Sequence, residues 1–253
     1  MLEYSPLLLL LLVGTGFVAG IVNTLAGGGS SLTIPALLIL GLPADVANAT
    51  NRVGVFLQCL VGIRGFNRAG RLDTADIGPV LVPTLSGGLA GAALASFLPV
   101  SALKPLLLGA MVLMALVILV RPSTIAPEEG TAVIRVNDSL GAWAGLFLAG
   151  VYGGFVQAGV GFILIAALAG GLRYDLVRSN ALKMVCTLGF TLVALVVFIV
   201  NDLVLWLPGL TLAVGTMLGA AVAVRMAISV SQNALKWFLF IMTLVTCTAA
   251  MIV

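Results

Sequence analysis

The stretch NTLAGGGSSLTIP, residues 23–35, breaks the first long apolar run of the chain with three glycines and two serines. A glycine in a helix interior costs about 1 kcal/mol relative to alanine, so a helix that reaches this stretch is expected to stop. The apolar run that follows, 31–41, is too short to cross a membrane because a helix rises only about 1.5 Å per residue. The stretch therefore predicts a long helix, a backbone break and a short half-helix.

The composition indicates an integral membrane protein. Of 253 residues, 61% are hydrophobic and 8% are charged, and the mean hydropathy is +1.24. Soluble domains carry about 25% charged residues, and runs of about 20 apolar residues, the length needed to cross a bilayer, recur along this chain. No Lys or Arg precedes the first run, so it is expected to be a membrane segment rather than a signal peptide. These features predict an all-α polytopic membrane protein.

The apolar runs divide into two equal sets on either side of the polar linker 121–138. They span 6–26, 31–41, 44–63, 77–98 and 101–120, and then 139–157, 160–171, 174–200, 203–224 and 229–252. FVAG at 17–20 recurs as FLAG at 147–150, and Asp45 recurs as Asp175 at the same offset. We therefore expect two repeats, 1–120 and 139–253, joined by a cytoplasmic linker. Each repeat is expected to be a broken-helix hairpin followed by three transmembrane helices.

The positions of the arginines predict the topology. If each hairpin enters and leaves on one side, each repeat has three full crossings and the second repeat is inverted. Eight arginines then share one face, which the positive-inside rule makes cytoplasmic, and both termini lie outside. The eight are Arg64, Arg68, Arg71, Arg121, Arg135, Arg173, Arg178 and Arg225.

The glycine break offers chemistry as well as a turn. Transporters with inverted repeats bind substrate near mid-membrane, where the N-termini of broken helices face it. A helix start presents free N–H groups and about half a positive charge, so AGGGSS before 31–41 is a candidate anion cradle. Ser30 and Ser31 are expected to cap the short helix and donate hydroxyls. The alternative is that these small residues only allow close helix packing, as is expected of Gly14, Gly16, Gly20, Gly87, Gly88 and Gly91.

Arg52 and Lys183 each lie about ten residues into an apolar run, close to mid-depth. A cation at the centre of a membrane helix costs about 2.5–3.5 kcal/mol and is functional by default. One interpretation is structural: the cations snorkel, or they pair with Asp45 and Asp175. The other is that both are unpaired and face an anionic substrate, with neutral donors at matching depth from Asn23, Thr24, Asn51, Gln58, Gln157 and Asn180.

The residues resemble a known family. GFVAGIVNTLAGGGSSLTIPALLILGLPADVANATNRVG is similar to the first-repeat signature of the sulfite exporter TauE/SafE family, and GGFVQAGVGFILIAAL followed by RSNALKM looks like its degenerate second repeat. The resemblance covers essentially the whole chain and implies membrane transport of sulfur-containing or organic anions. Carried over by position, the first motif comprises Gly27, Gly28, Gly29, Thr50, Asn51 and Arg52. The second comprises Gln157, Gly159, Gly161, Ser179, Asn180 and Lys183.

We therefore expect a secondary transporter for a small anion of the sulfite, sulfonate or sulfoacetate type, in a prokaryotic inner membrane. A passive anion channel or facilitator is the alternative, and no G-x-S-x-G motif, histidine or intramembrane carboxylate pair supports an enzyme. No metal, cofactor or nucleic acid is expected; a coupling proton or other ion and a homodimer stay open. The candidate substrate-binding residues are Asn23, Thr24, Gly28, Gly29, Ser30, Ser31, Thr50, Asn51, Arg52, Gln58, Gln157, Gly159, Gly161, Ser179, Asn180 and Lys183.

Overall fold

The computed structural model describes residues 6–72, 74–97, 132–157 and 159–231, with 234, 237 and 241. Every regular element in these ranges is helical, as the composition predicts. The expected run 101–120, most of 229–252, and Lys104, Arg121 and Cys247 lie outside the described residues. The helices are α1 (Pro6–Leu25), α2 (Ser30–Ile39), α3 (Ala44–Arg68), α4 (Ile77–Phe97), α5 (Leu140–Phe155), α6 (Val160–Ile165), α7 (Leu176–Val200) and α8 (Trp206–Ser229).

Four stretches of the described chain are long and apolar enough to cross a membrane: Pro6–Leu25, Thr74–Ala95, Leu176–Val200 and Trp206–Ser229. Helix α3 has a similar length, 25 residues, but it carries the buried polar side chains of the site. Many large apolar side chains are exposed on the outer helix faces. The protein is therefore an integral membrane protein whose apolar exterior faces lipid.

Helices α1 and α2 form a hairpin, so that the start of α1 and the end of α2 lie close together. Leu12 near the start of α1 shares a buried cluster with Leu37 of α2, Leu42 of the following loop, Ala47 of α3 and Leu212 of α8. We call this side of the molecule the α1 end. Helices α3 and α8 therefore both begin at the α1 end.

Helices α5 and α6 form the second hairpin at the opposite side, which we call the α5 end. The Ser139 hydroxyl caps α5 by accepting from the Ala142 N–H, and the Ile134 N–H donates to the Leu172 carbonyl after α6. Helix α6 was expected to run over 160–171 as one helix. Instead, α6 ends at Ile165, and a π-helix follows it over Ala166–Gly171.

The first helix of each hairpin packs closely on a helix far away in sequence. A Cβ atom on Gly20 of α1 would lie 2.4 Å from the Thr216 carbonyl oxygen of α8, and one on Gly150 of α5 would lie 2.3 Å from that of Thr84 in α4. Glycine is therefore required at both crossings. Gly16, Gly87, Gly88 and Gly91 also pack tightly within the protomer, as expected, but a Cβ on Gly14 would meet nothing within 4 Å.

Candidate functional site

The two backbone breaks touch each other in the interior. The Gly161 N–H donates to the Gly27 carbonyl over 3.3 Å, and a Cβ atom on either residue would lie 2.2 Å from the other's Cα. Gly27 has a φ of +99°, which an L side chain rarely adopts. The starts of α2 and α6 are therefore held together through backbone atoms.

Arg52 of α3 is fully buried and binds the C-terminal end of α5. Its Nη1 donates to the Gly153 carbonyl and its Nη2 to the Gly154 carbonyl, both over 2.8 Å, and Nη2 also lies 3.4 Å from the Phe155 carbonyl. The guanidinium carbon sits 5.1 Å from the centre of the Phe198 ring. A cation at a helix C-terminus interacts favourably with the helix dipole, so Arg52 caps the broken helix of the second hairpin.

Lys183 of α7 is buried in the same way and binds the C-terminal end of α1. Its Nζ donates to the carbonyls of Asn23 (2.9 Å) and Thr24 (2.8 Å) and to Asn180 Oδ1 (2.7 Å). An ammonium has three donors, so all three are used. Arg52, from the first half of the chain, therefore caps the first helix of the second hairpin. Lys183, from the second half, caps the first helix of the first hairpin.

The two aspartates do not neutralise these cations. Asp175 Oδ1 accepts from the Val177 and Arg178 N–H groups at the start of α7, and its Oδ2 lies 3.6 Å from Arg178 Nε. Within the described ranges, no ion pair involves Arg52 or Lys183. The structural interpretation is therefore wrong, because the cations are buried and bind backbone carbonyls rather than the aspartates. That they face an anionic substrate stays a prediction.

The start of α2 is fixed by Asn51 of α3. Asn51 Nδ2 donates to Ser30 Oγ over 3.1 Å, and the Thr33 hydroxyl donates to Asn51 Oδ1 over 2.5 Å. The prediction that Ser30 and Ser31 cap α2 is wrong, because Ser30 is already its first residue and the cap position is Gly29, which makes no side-chain cap. Gly28 and Gly29 are buried, and Ser31 is half-buried.

Two hydrogen bonds between glutamine and threonine flank the breaks. Gln58 Nε2 of α3 donates to Thr24 Oγ1 over 3.2 Å, and Gln157 Nε2 donates to Thr191 Oγ1 of α7 over 2.9 Å. Gln157 has a φ of 66° and Gly159 a φ of 75°, so the second break takes its turn in left-handed backbone without a run of glycines.

Two candidate residues make bonds that do not join this central group. The Thr50 hydroxyl accepts from the Leu205 N–H just before α8, and the Ser179 hydroxyl donates to the Tyr174 carbonyl. Both bonds hold helix starts in place.

The structure does not bring Arg52 and Lys183 to one point. The Arg52 guanidinium lies against Phe198, and Phe198 is 15 residues from Lys183 along α7. That spacing is about 22 Å along the helix axis. The polar interior therefore has two clusters, one around each cation, with the Gly27–Gly161 contact as the link between the two hairpins.

Comparison with known proteins identifies the family of this chain. The family model described as sulfite exporter TauE/SafE matches residues 12–250. The chain belongs to this family. A probable membrane transporter protein of Haemophilus influenzae is 28% identical over 237 residues, covering 93% of this chain and 91% of its own length. The probable membrane transporter proteins ORF9 of a Sinorhizobium species and YfcA of Escherichia coli K12 are 27% and 26% identical, covering 94% and 95% of this chain and 90% and 88% of their own lengths.

Membership of the TauE/SafE family indicates that this chain is a membrane transporter. Three residues that share hydrogen-bond partners with the predicted site were not predicted from the sequence: Thr33, Asn48 and Thr191. Asn48 donates to the Phe155 carbonyl over 3.1 Å. The sequence contained a signal for Asn48, since it lies one turn before Arg52 on the same face of α3. It also contained one for Thr191. Thr191 follows Gln58 by 133 positions, the same distance by which Gln157 follows its counterpart Thr24.

Proposed function

We propose that this protein is a secondary transporter that moves a small sulfur-containing or organic anion across the cytoplasmic membrane by alternating access. The observation that carries the proposal is the pair of buried cations, Arg52 and Lys183. Each binds the end of a broken helix, and neither has a carboxylate partner among the residues that the structure describes. We propose that the anion binds near the starts of α2 and α6, beside these cation clusters.

The charge balance of the interior supports an anion as the substrate. A helix C-terminus carries about half a negative charge, so capping a helix end leaves each cation with about half a positive charge uncompensated. Each cluster therefore carries a net positive charge that favours an anion. A buried charge without a counter-charge is costly, and a bound anion would remove that cost.

Matching contacts in the two halves support the proposal of two inverted repeats, 1–120 and 139–253, joined by the linker 121–138. The Gly20–Thr216 crossing in α1 and α8 corresponds to the Gly150–Thr84 crossing in α5 and α4. The cations correspond too, and the two hairpins open at opposite ends. We propose that the transport cycle exchanges the roles of the two halves.

The exposed arginines support one orientation of the protein. All seven that lie in the described part of the chain belong to segments at the α5 end: the end of α3, the segments before α5 and α7, the start of α7 and the end of α8. By the positive-inside rule we propose that the α5 end faces the cytoplasm and that both termini lie outside.

A passive anion channel or facilitator is the second candidate. It is favoured by one observation: in the described chain no carboxylate contacts Arg52 or Lys183, so no proton-accepting partner couples to either charge. A carrier shows saturation and counterflow, whereas a channel shows neither.

The experiment is uptake into proteoliposomes that contain the purified full chain. Labelled sulfite, sulfoacetate and simple carboxylates are tested separately, with and without a pH gradient. Saturable uptake of at least one of these anions, with counterflow, is expected for the carrier. Flux that is linear in concentration would identify the channel, and no flux of any of the anions would overturn the proposal.

A further inference from the structure

One face of α3 carries a row of buried polar atoms that no other atom in the described part of the chain satisfies. These atoms are Asp45 Oδ1, Asn48 Oδ1 and Arg52 Nε. Asn48 is 1% exposed and Arg52 is 0% exposed, so water does not reach either side chain from the surface. A buried polar group without a hydrogen bond is costly, which makes this row a candidate ligand site.

The atoms of the row are neighbours in space. Residues 45, 48 and 52 are three and four apart, a spacing that places side chains on one helix face. Asn48 Nδ2 and Arg52 Nη2 both donate to the same acceptor, the Phe155 carbonyl, over 3.1 and 3.4 Å. The free Asn48 oxygen and the free Arg52 Nε–H therefore belong to one cluster of side chains around the Phe155 carbonyl.

The chemistry of the two free groups is fixed by their partners. Turning the Asn48 amide over would bring its oxygen to about 3.1 Å from the Phe155 carbonyl oxygen, where two acceptors repel, so the free Asn48 atom is the acceptor. Arg52 Nε can only donate. The pair thus offers one free donor and one free acceptor in a cluster that carries the positive charge of Arg52.

We propose that this pair binds an oxyanion that also carries an O–H group, with an anion oxygen on Arg52 Nε and the ligand hydroxyl on Asn48 Oδ1. The inference rests on the proposed anion transport and narrows its substrate class. An anion with acceptor atoms alone leaves the Asn48 oxygen unsatisfied, and sites that bury a partner for a hydroxyl discriminate strongly against ligands that lack one.

The other half of the molecule differs at the corresponding place. Lys183 occupies Asn180 Oδ1, so the free atom of that amide is Nδ2, a donor. Asn180 Nδ2 can donate to a ligand oxygen but cannot accept the proton of a ligand O–H group. The O–H group is assigned to Asn48 Oδ1 because Asn48 shares the Phe155 carbonyl with Arg52.

The test compares matched monoanions that differ by one hydroxyl: hydroxymethanesulfonate with methanesulfonate, and glycolate with acetate. Binding of each to the purified full chain is measured by isothermal titration calorimetry, beside labelled-sulfite uptake in proteoliposomes. We expect the hydroxyl member of each pair to bind at least about tenfold more tightly, the size of one satisfied hydrogen bond to a buried group. Asn48→Leu should bring the ratio close to one.

Two further variants separate this effect from general damage. Asn180→Leu should weaken both members of a pair and keep their ratio, and Asn201→Ala, at an exposed amide that also donates to a backbone carbonyl, should change nothing. The wild-type ratio needs no variant, so the test does not depend on the folding of Asn48→Leu. Equal affinities within both pairs, no binding of any of the four anions, or an unchanged ratio in folded Asn48→Leu would overturn the inference. A hydroxyl preference without any flux would instead overturn the proposed transport.

Discussion

Gly27 and Gly161 meet through their backbones, 134 positions apart in the chain, with the Gly161 N–H bonded to the Gly27 carbonyl. No side chain fits between them, because a Cβ atom on either would lie 2.2 Å from the other's Cα. This contact joins the two backbone breaks. Arg52 binds the C-terminal end of α5, and Lys183 binds the C-terminal end of α1. The backbone contact therefore links the two hairpins directly to each other.

Replacing either glycine at this contact should separate the breaks. We expect Gly161→Ala and Gly27→Ala to lower the melting temperature of the detergent-purified protein by several degrees and to abolish sulfite uptake, since backbone atoms must move. Gly41→Ala is the matched control for Gly27→Ala: its φ of +86° brings similar strain, but a Cβ there meets nothing within 4 Å. Gly14→Ala serves the same purpose for Gly161→Ala. Equal losses in the controls would contradict the importance of the contact.

Arg52→Lys tests the two hydrogen bonds from the guanidinium to the carbonyls at the end of α5. A lysine keeps the charge but has no planar fork, so we expect one of the two 2.8 Å bonds to be lost. A hydrogen bond to a charged group contributes about 1.5–3 kcal/mol, which corresponds to a melting temperature lower by roughly 3–10 °C. Arg64→Lys, at an exposed position of the same helix, should leave the melting temperature unchanged. An unaltered melting temperature for Arg52→Lys would show that the fork is dispensable.

The glutamine–threonine bonds test the correspondence of the two halves. Exchanging the partners of the first bond, Thr24→Gln with Gln58→Thr, reproduces the residue order of Gln157 and Thr191. Both positions are helical, so the exchange places no β-branched residue at the left-handed backbone of Gln157. We expect each single variant to lose about 1 kcal/mol and the double variant to recover most of it. Thermal unfolding of the four proteins gives the coupling energy. Losses that simply add would speak against equivalent positions.

Site-directed labelling tests the proposed orientation. Asp138 at the α5 end and Asn201 at the α1 end are both exposed, and Cys59 and Cys186 are buried. In intact cells of a variant with Cys247 replaced, we expect a membrane-impermeant thiol reagent to modify Asn201→Cys and to spare Asp138→Cys until the membrane is opened. The reverse pattern would place the arginine-rich end outside.

The sequence predicted the elements of this architecture better than their contacts. The glycine run marks the first break because three glycines disfavour a helix wherever they stand, and Arg52 and Lys183 stand out because charges are rare in apolar runs. Their partners had no such signal. Gly153 and Gly154 are 101 and 102 positions from Arg52, and they contribute backbone carbonyls, which every residue type possesses.

Two local features were also beyond the sequence. Ser30 was expected at the cap of α2, but the helix begins one residue earlier than a serine cap requires, since Asn51 draws the Ser30 hydroxyl toward α3. The π-helix over Ala166–Gly171 depends on how α6 packs on its neighbours, and the run AALAGG suits an α-helix and a π-helix alike. Tertiary contacts decide both.

The central claim is that the buried charges of Arg52 and Lys183 draw a small anion into the protein. The most direct measurement is counterflow of labelled sulfite in proteoliposomes that contain wild type, Arg52→Gln, Lys183→Gln or the exposed control Arg64→Gln. We predict saturable counterflow for wild type and the control, and at least a tenfold lower rate for each variant at a buried cation. Wild-type rates in both Arg52→Gln and Lys183→Gln would contradict the account.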